Sequence, residues 1–391
     1  MATDNVSIDD LIARSGALKR ELVTFTRSAR FAKQLDRLLY DAAGHNGHLD
    51  QNQAIPLIDH FALQHVLPNG RTVVERFVAQ RQPRLSQVER EMMLGWRDVV
   101  EGLFEVRGFD GDAVEFHNLL DDLVYRVHSN MGRETFAALS KGLFVIGRIV
   151  PVHPATDAWL VSGTFTTHAE TAGRTMAQIA VEEITTRPGL MLSNPAMVAR
   201  GWELQASHRA EFIAQVGSDL VILPPHGARE TLREHYRRLQ DKAMTAFEGE
   251  VAPTGPGPDE LGILSDDLMD ADSVVLIYDE VEGLSVYRDF GRLDALFADP
   301  SLARDRDRLA QLQGYLDDDS VSPLAIRRLV ERHPDGADPV FHALLRKPSF
   351  SWSRDGEKLL RREKKSFFDR EPRPRISVIG ERLTELLRLT E

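Results

Sequence analysis

The sequence predicts an α+β protein with a helical N-terminal region, a small five-stranded SH3-like or OB-like barrel, and a C-terminal α/β region ending in a basic tail. Three observations carry this expectation. Apolar residues recur at three- and four-residue spacings through the first 100 positions. Between residues 101 and 170 the pattern changes to five short β-rich runs, with a two-residue alternation over 124–128. From residue 171 helical spacing returns, interrupted by brief strands at 219–223, 273–278 and 284–287.

In the N-terminal region Leu18, Leu22 and Phe25, then Phe31, Leu35, Leu38 and Leu39, fall on one helix face. Ser7 with Asp10 has the form of an acidic capping box, and Ser86 with Glu89 that of an ordinary one. Gly44 and Gly47 allow the turn that ends the first helical stretch. A helix over 50–65 turns Leu57, Ile58 and Phe61 inward, and Pro68-Asn69-Gly70 is a turn. Helices follow over 72–80 and from Ser86 onward, the latter carrying Met92, Met93, Trp96, Val99 and Val100.

The barrel strands are expected at 103–106, 113–116, 123–128, 143–152 and 158–166, punctuated by Gly108, Gly111, Asp121-Asp122 and Pro154. Most of the aromatics Phe104, Phe109, Phe116, Tyr125, Phe144, Trp159 and Phe165 are expected inside it, since so small a domain needs them as core. Helices are expected at 176–185, 195–216 and 228–247, then at 292–297, 304–316 and 323–332. Thr254-Gly255-Pro256-Gly257-Pro258 suits neither helix nor strand and reads as a linker. The expected regions are 1–100, 101–170, 171–252 and 253–391.

Composition narrows the chemistry. The 391 residues are 42% hydrophobic and 28% charged, which is enough for a buried core, and none is cysteine. Disulfides, thiolate metal sites and a cysteine nucleophile are thereby excluded, and a reducing cytoplasm is the expected location. No signal peptide is legible at the start, and the apolar run 142–152 is interrupted by Arg148 and too short to span a bilayer. No membrane association is expected. P-loop, dinucleotide-binding and nucleophile-elbow motifs are missing. No catalytic residue and no cofactor is therefore expected.

The net charge of −12 opposes indiscriminate binding to polyphosphate, but the charge is uneven. Residues 346–375 hold 11 Lys and Arg against 5 Asp and Glu, whereas 265–282 hold 7 acidic residues and no basic one. In the tail, Lys358, Arg361, Arg362, Lys364, Lys365, Arg373 and Arg375 interleave with Trp352 and Phe367, the pattern of a phosphate-tracking surface. The other reading is a helix over 356–368 that packs Leu359, Leu360, Phe367 and Phe368 inward with its charges in water. On the barrel, Arg107, Arg126, Lys141 and Arg148 are the cations available to a ligand. Asp279, Glu280 and Glu282 follow an apolar strand and are the candidate cation ligands, although they lack the order of an EF-hand loop. His45, His48, His60 and His65 cluster in sequence, but His60 and His65 lie about 140° apart around a helix and do not converge.

Several segments resemble a group of uncharacterised bacterial proteins. They include 85–90, Trp96, 103–106, Asp122-Leu123, 147–152 and Ser162-Gly163-Thr164, then 279–284, Tyr315-Leu316, Ser322-Pro323, 350–352 and Gly356-Glu357. The resemblance spans roughly residues 55–380 and implies an SH3-like barrel segment. Some members of the group carry a zinc-binding SEC-C tail, which a chain without cysteine lacks. The resemblance implies no catalytic residues.

The expected function is that of a non-catalytic cytoplasmic binding protein acting through protein–protein contacts. Two alternatives stand beside it: an RNA- or ribosome-associated factor using the basic tail, and a metal-dependent hydrolase using Asp279, Glu280 and Glu282.

Overall fold

The computed structural model describes residues 7–44, 49–246, 258–261 and 264–388. The chain divides into two compact units, Met1–Met197 with Val378–Glu391, and Val198–Ser377.

The first unit opens with α1 (Ile8–Thr26), α2 (Ala32–Ala43), α3 (Gln51–Leu63), α4 (Val73–Gln80) and α5 (Gln87–Gly95). Asp50 with Gln53, Thr72 with Glu75, and Ser86 with Glu89 each form a complete capping box, so α3, α4 and α5 start where side chains satisfy free backbone N–H groups. Ser7 precedes α1 without a side-chain cap bond, so the acidic capping box expected there does not form. Leu18, Leu22, Phe31, Leu35, Phe61 and Trp96 bury together with Val150, Val152, Ala158 and Leu160 of the following strands. Helices and barrel thus share one core. Gly47, His45 and His48 lie outside the described residues.

The barrel comprises β1 (Val100–Asp110), β2 (Ala113–Asn118), β3 (Val124–His128), β4 (Phe144–Pro151) and β5 (Ala158–Val161), with β6 (Thr166–His168) added to the edge of β4. The order β1-β2-β3-β5-β4 closes through a β1–β4 pairing. Closure needs one strand long enough to serve two neighbours. β1 pairs with β4 through Val100–Glu105 and with β2 through Phe104–Asp110, and it bends at a bulge between Val106 and Gly108. β3 and β5 run parallel, which a simple meander cannot produce. Of the two barrel types left open by the sequence, this connectivity is that of the OB barrel. Phe104, Phe116 and Tyr125 fill the interior, and Trp159 and Phe165 pack against it. Phe144 instead joins a cluster with Met176 and Leu383, and Phe109 is exposed.

The run at 158–166 is not one strand. It breaks at Ser162–Phe165, where Gly163 adopts φ +81, and resumes as β6. Next come α6 (Gly173–Thr186) and α7 (Pro195–Val216), most of which belongs to the second unit.

The second unit builds a three-stranded antiparallel sheet from β7 (Leu220–Leu223), β8 (Val274–Asp279) and β9 (Gly283–Arg288), with β8 central. Between β7 and β8 lie α8 (Pro225–Ala246), α9 (Pro258–Leu261) and α10 (Asp266–Met269). The linker expected at 254–258 lies outside the described residues except for the backbone of Pro258. After β9 come α11 (Phe290–Ala298), α12 (Arg306–Asp317), α13 (Pro323–Arg332), α14 (Pro334–Leu345), α15 (Glu357–Glu363) and α16 (Lys365–Phe368). They bury Phe290, Phe297, Leu329, Phe341 and Leu360 against Val275 and Ile277 of the sheet. The chain ends in α17 (Glu381–Leu387), which returns to the first unit and packs Leu383 and Leu386 against Met176, Ala180 and Phe144. Among the described residues no helix is long and apolar enough to cross a membrane.

Candidate binding cleft

Helix α1 buries Leu11, Leu18 and Leu22 and carries Lys19, Arg20 and Val23 on a neighbouring face, which its C-cap residue Arg27 extends. Opposite that face stand Ile55, Ile58 and Asp59 of α3, the Ser129–Asn130–Met131 loop after β3, and the Ser162–Phe165 turn after β5. Together they enclose a cleft of about 650 Å³ within the first unit. Ile55, Ile58, Val150 and Leu160 make its walls aliphatic.

At its base is a polar knot. Asp59 is 4% exposed, and it accepts hydrogen bonds from Lys19 Nζ and, at 2.8 Å, from Ser162 Oγ. Lys19 also donates to Ser162 Oγ at 3.0 Å, and its Nζ lies 5.6 Å from the centroid of the Trp96 ring. Arg148 closes the group from β4. It donates to Gln64 Oε1 at 2.7 Å and to the Pro56 carbonyl at 3.2 Å, and its Nε is 3.6 Å from Asp59 Oδ2. The bond to the Pro56 carbonyl ties β4 to the backbone of α3. Burial works to raise the Asp59 pKa, but the charges of Lys19 and Arg148 outweigh it and hold the carboxyl below its usual range.

A serine beside a lysine invites a nucleophile–base reading, and the geometry answers it. The Ser162 hydroxyl is buried and commits its hydrogen bond to a carboxylate. Lys19 is ion-paired to the same carboxylate, and an ammonium so held has no lone pair with which to take a proton. The knot ties α1, α3 and the turn after β5 together and leaves the ligand-facing chemistry to the rim. There Arg20 and Arg27 are exposed and have no acidic partner among the described residues, and Met131 is 79% exposed. Trp96 contributes a buried indole N–H that has no acceptor among the described residues.

The cations expected on the barrel scatter. Arg148 is buried in the knot, so its guanidinium does not reach the surface. Arg107 pairs with Glu105 at 3.3 Å, Arg126 pairs with Asp110 at 2.9 Å, and Lys141 is exposed.

The tail cations and aromatics largely satisfy one another. Trp352 stacks on Phe341 at 4.8 Å, Arg361 lies over Phe368 at 4.5 Å, and Arg370 lies over Phe367 at 5.3 Å. Arg362 pairs with Glu363, whereas Lys358, Lys365, Arg373 and Arg375 are exposed. Lys364 is fully buried, and its Nζ donates to the Asp318 carbonyl at the end of α12. Leu359 and Leu360 are buried, and Phe367 and Phe368 are half-buried.

Asp279 ends β8, and Glu280 and Glu282 lie in the hairpin turn between β8 and β9. Asp279 Oδ1 accepts from the backbone N–H groups of Val281 and Glu282 at 2.8 and 3.0 Å, so that carboxylate shapes the turn. Glu280 points to solvent, 3.6 Å from Arg209, and burial raises the Glu282 pKa. His60 bonds to Gln64 at 3.2 Å, and His65 stacks on Phe61 at 4.8 Å. Among the described residues no three His, Asp or Glu side chains converge as a metal site. No family model, curated protein or solved structure matches the chain.

Proposed function

We propose that this chain is a non-catalytic binding protein acting through protein–protein contacts, and that the cleft between α1, α3 and the barrel receives a segment of its partner. The observation that carries the reading is the pairing of aliphatic walls with two rim guanidinium groups that have no acidic partner among the described residues. The polar groups at the base are mutually satisfied and need no ligand. A chain without cysteine suits the reducing cytoplasm, where we place it. We also place it with the barrel-containing bacterial group that its Ser86–Glu89 and Ser162–Thr164 segments resemble.

The RNA-associated alternative draws less support, because the rings of Phe367 and Phe368 already carry arginines of the same chain. The hydrolase alternative draws less again, since Asp279 is engaged by its own turn.

The test is a photo-crosslinking amino acid placed at Met131, on the cleft rim, and at Tyr40, an exposed site away from it, in cells of the native host. A discrete protein adduct is expected from position 131 alone, and it should disappear when Arg20 and Arg27 are both changed to Glu. Equal adducts from both positions, or none from 131, would overturn the assignment.

A further inference from the structure

We infer, resting on that reading of the cleft, that the partner segment is an extended acidic peptide with two carboxylates flanking one apolar side chain. Arg20 and Val23 of α1 and its C-cap residue Arg27 line the cleft in the order cation, apolar, cation. Seven residues of helix separate the two cations by about 10 Å along the axis. In an extended peptide, side chains at positions 1, 3 and 5 point the same way and span about 13 Å. The reach of two arginine side chains absorbs the difference. Carboxylates at 1 and 5 then meet Arg20 and Arg27 in charge-assisted hydrogen bonds. The apolar side chain at position 3 faces Val23 and enters between Ile55, Ile58 and Leu160.

The charge is specific to the rim. Lys19 and Arg148 also approach the cleft base, but both are engaged with Asp59. Among the described residues lining the cleft, the positive charge left for a ligand is thus that of Arg20 and Arg27. A nucleic acid would satisfy the same guanidinium groups, but it also needs open ring faces on which bases stack. The two aromatics lining the cleft do not offer them. Trp96 is 1% exposed with Lys19 over its ring, and Phe165 stacks on Phe136.

The experiment titrates the full chain into a dye-labelled peptide of the form Gly-Asp-Ser-Leu-Ser-Asp-Gly and follows anisotropy at low salt. Binding is expected, weakening at least tenfold when both Asp are changed to Asn, and again when Leu is changed to Ser. R20Q/R27Q should lose the preference for Asp over Asn, with an unchanged melting temperature showing that it folds. If the Asp and Asn peptides bind equally well, the acidic specificity is overturned while the cleft remains a peptide site. If no peptide binds, the reading of the cleft itself falls. Displacement of the acidic peptide by a ten-nucleotide single-stranded RNA at comparable concentration would overturn the inference in favour of a nucleic-acid ligand.

Discussion

Ser162 and Asp59 stand 103 residues apart in the chain and 2.8 Å apart in space, the serine hydroxyl donating to the carboxylate. Through this bond the turn that interrupts the last barrel strands is fixed to α3. Lys19 adds α1 to the same carboxylate. The cleft wall therefore depends on one buried anion.

Replacing that anion should be costly. In Asp59→Asn the Lys19 ammonium loses its counter-charge at a buried carboxylate, while Arg148 keeps Glu101 at 3.3 Å, and a loss of about 3 kcal/mol is expected. Because the folded-state pKa is depressed, the stabilisation is present above the unfolded value of about 3.9 and is lost as pH falls through the lower folded value. Urea midpoints measured from pH 7 to pH 2.5 should converge for wild type and variant at the acidic end. A constant gap across that range would contradict the linkage.

Gly163 offers a more local test. Its φ of +81 is a conformation that L side chains rarely adopt, and the added methyl of Gly163→Ala would lie 3.6 Å from Ile55 Cγ2, an ordinary contact. The cost is thus backbone strain alone, about 1 kcal/mol. Peptide affinity at the cleft should fall along with stability, because the Ser162–Phe165 turn forms one wall. Calorimetric melting with a parallel binding titration separates the two effects.

Lys364 and Lys365 are neighbours with opposite fates. Lys364 is buried and caps the α12 terminus through the Asp318 carbonyl, so Lys364→Ala should cost about 2–3 kcal/mol. Lys365 is exposed, and Lys365→Glu should change stability by no more than about 0.5 kcal/mol. Chemical denaturation of the two single variants gives the comparison directly. Equal effects would show that the buried ammonium contributes nothing to the fold.

This pair also shows why the fold was more legible than the site. Short β-rich runs bounded by turn residues are local signals, and they mark β1 to β4 from short stretches of chain, with two-residue alternation visible in β3. Ser86 and Glu89 disclosed a cap for the same reason. α14 is harder to read because Pro334 and Pro339 disfavour a helix, yet Pro334 sits at its first position, where its missing N–H costs nothing. The cleft is a different kind of object. Lys19, Asp59 and Ser162 come from three elements separated by 40 and 103 residues, and no spacing rule connects them. Arg148 looked like a surface cation because a strand residue's partner across the core is set by tertiary packing alone.

His235 supplies the pH test for the second unit. It is 1% exposed and lies edge-on to Phe212 at 5.5 Å and to Tyr278 at 5.9 Å, with its Nδ1 lacking a partner among the described residues. Burial, reinforced by the neighbouring His208, depresses its pKa to about 4. The unfolded chain therefore binds a proton that the folded chain refuses between about pH 6.5 and pH 4. The sign follows: stability is complete above the unfolded pKa and declines as pH falls toward 4, by up to about 3 kcal/mol. His235→Phe keeps the ring packing and removes the titration, so it should flatten most of this slope, leaving the smaller part due to His208, whose pKa burial also lowers. Urea unfolding at pH 4, 5, 6 and 7, read by pulse labelling of α7 and α8, resolves the second unit from the first. If the variant retained the full slope, the acid sensitivity would belong to other groups, and the buried imidazole would be only a packing element.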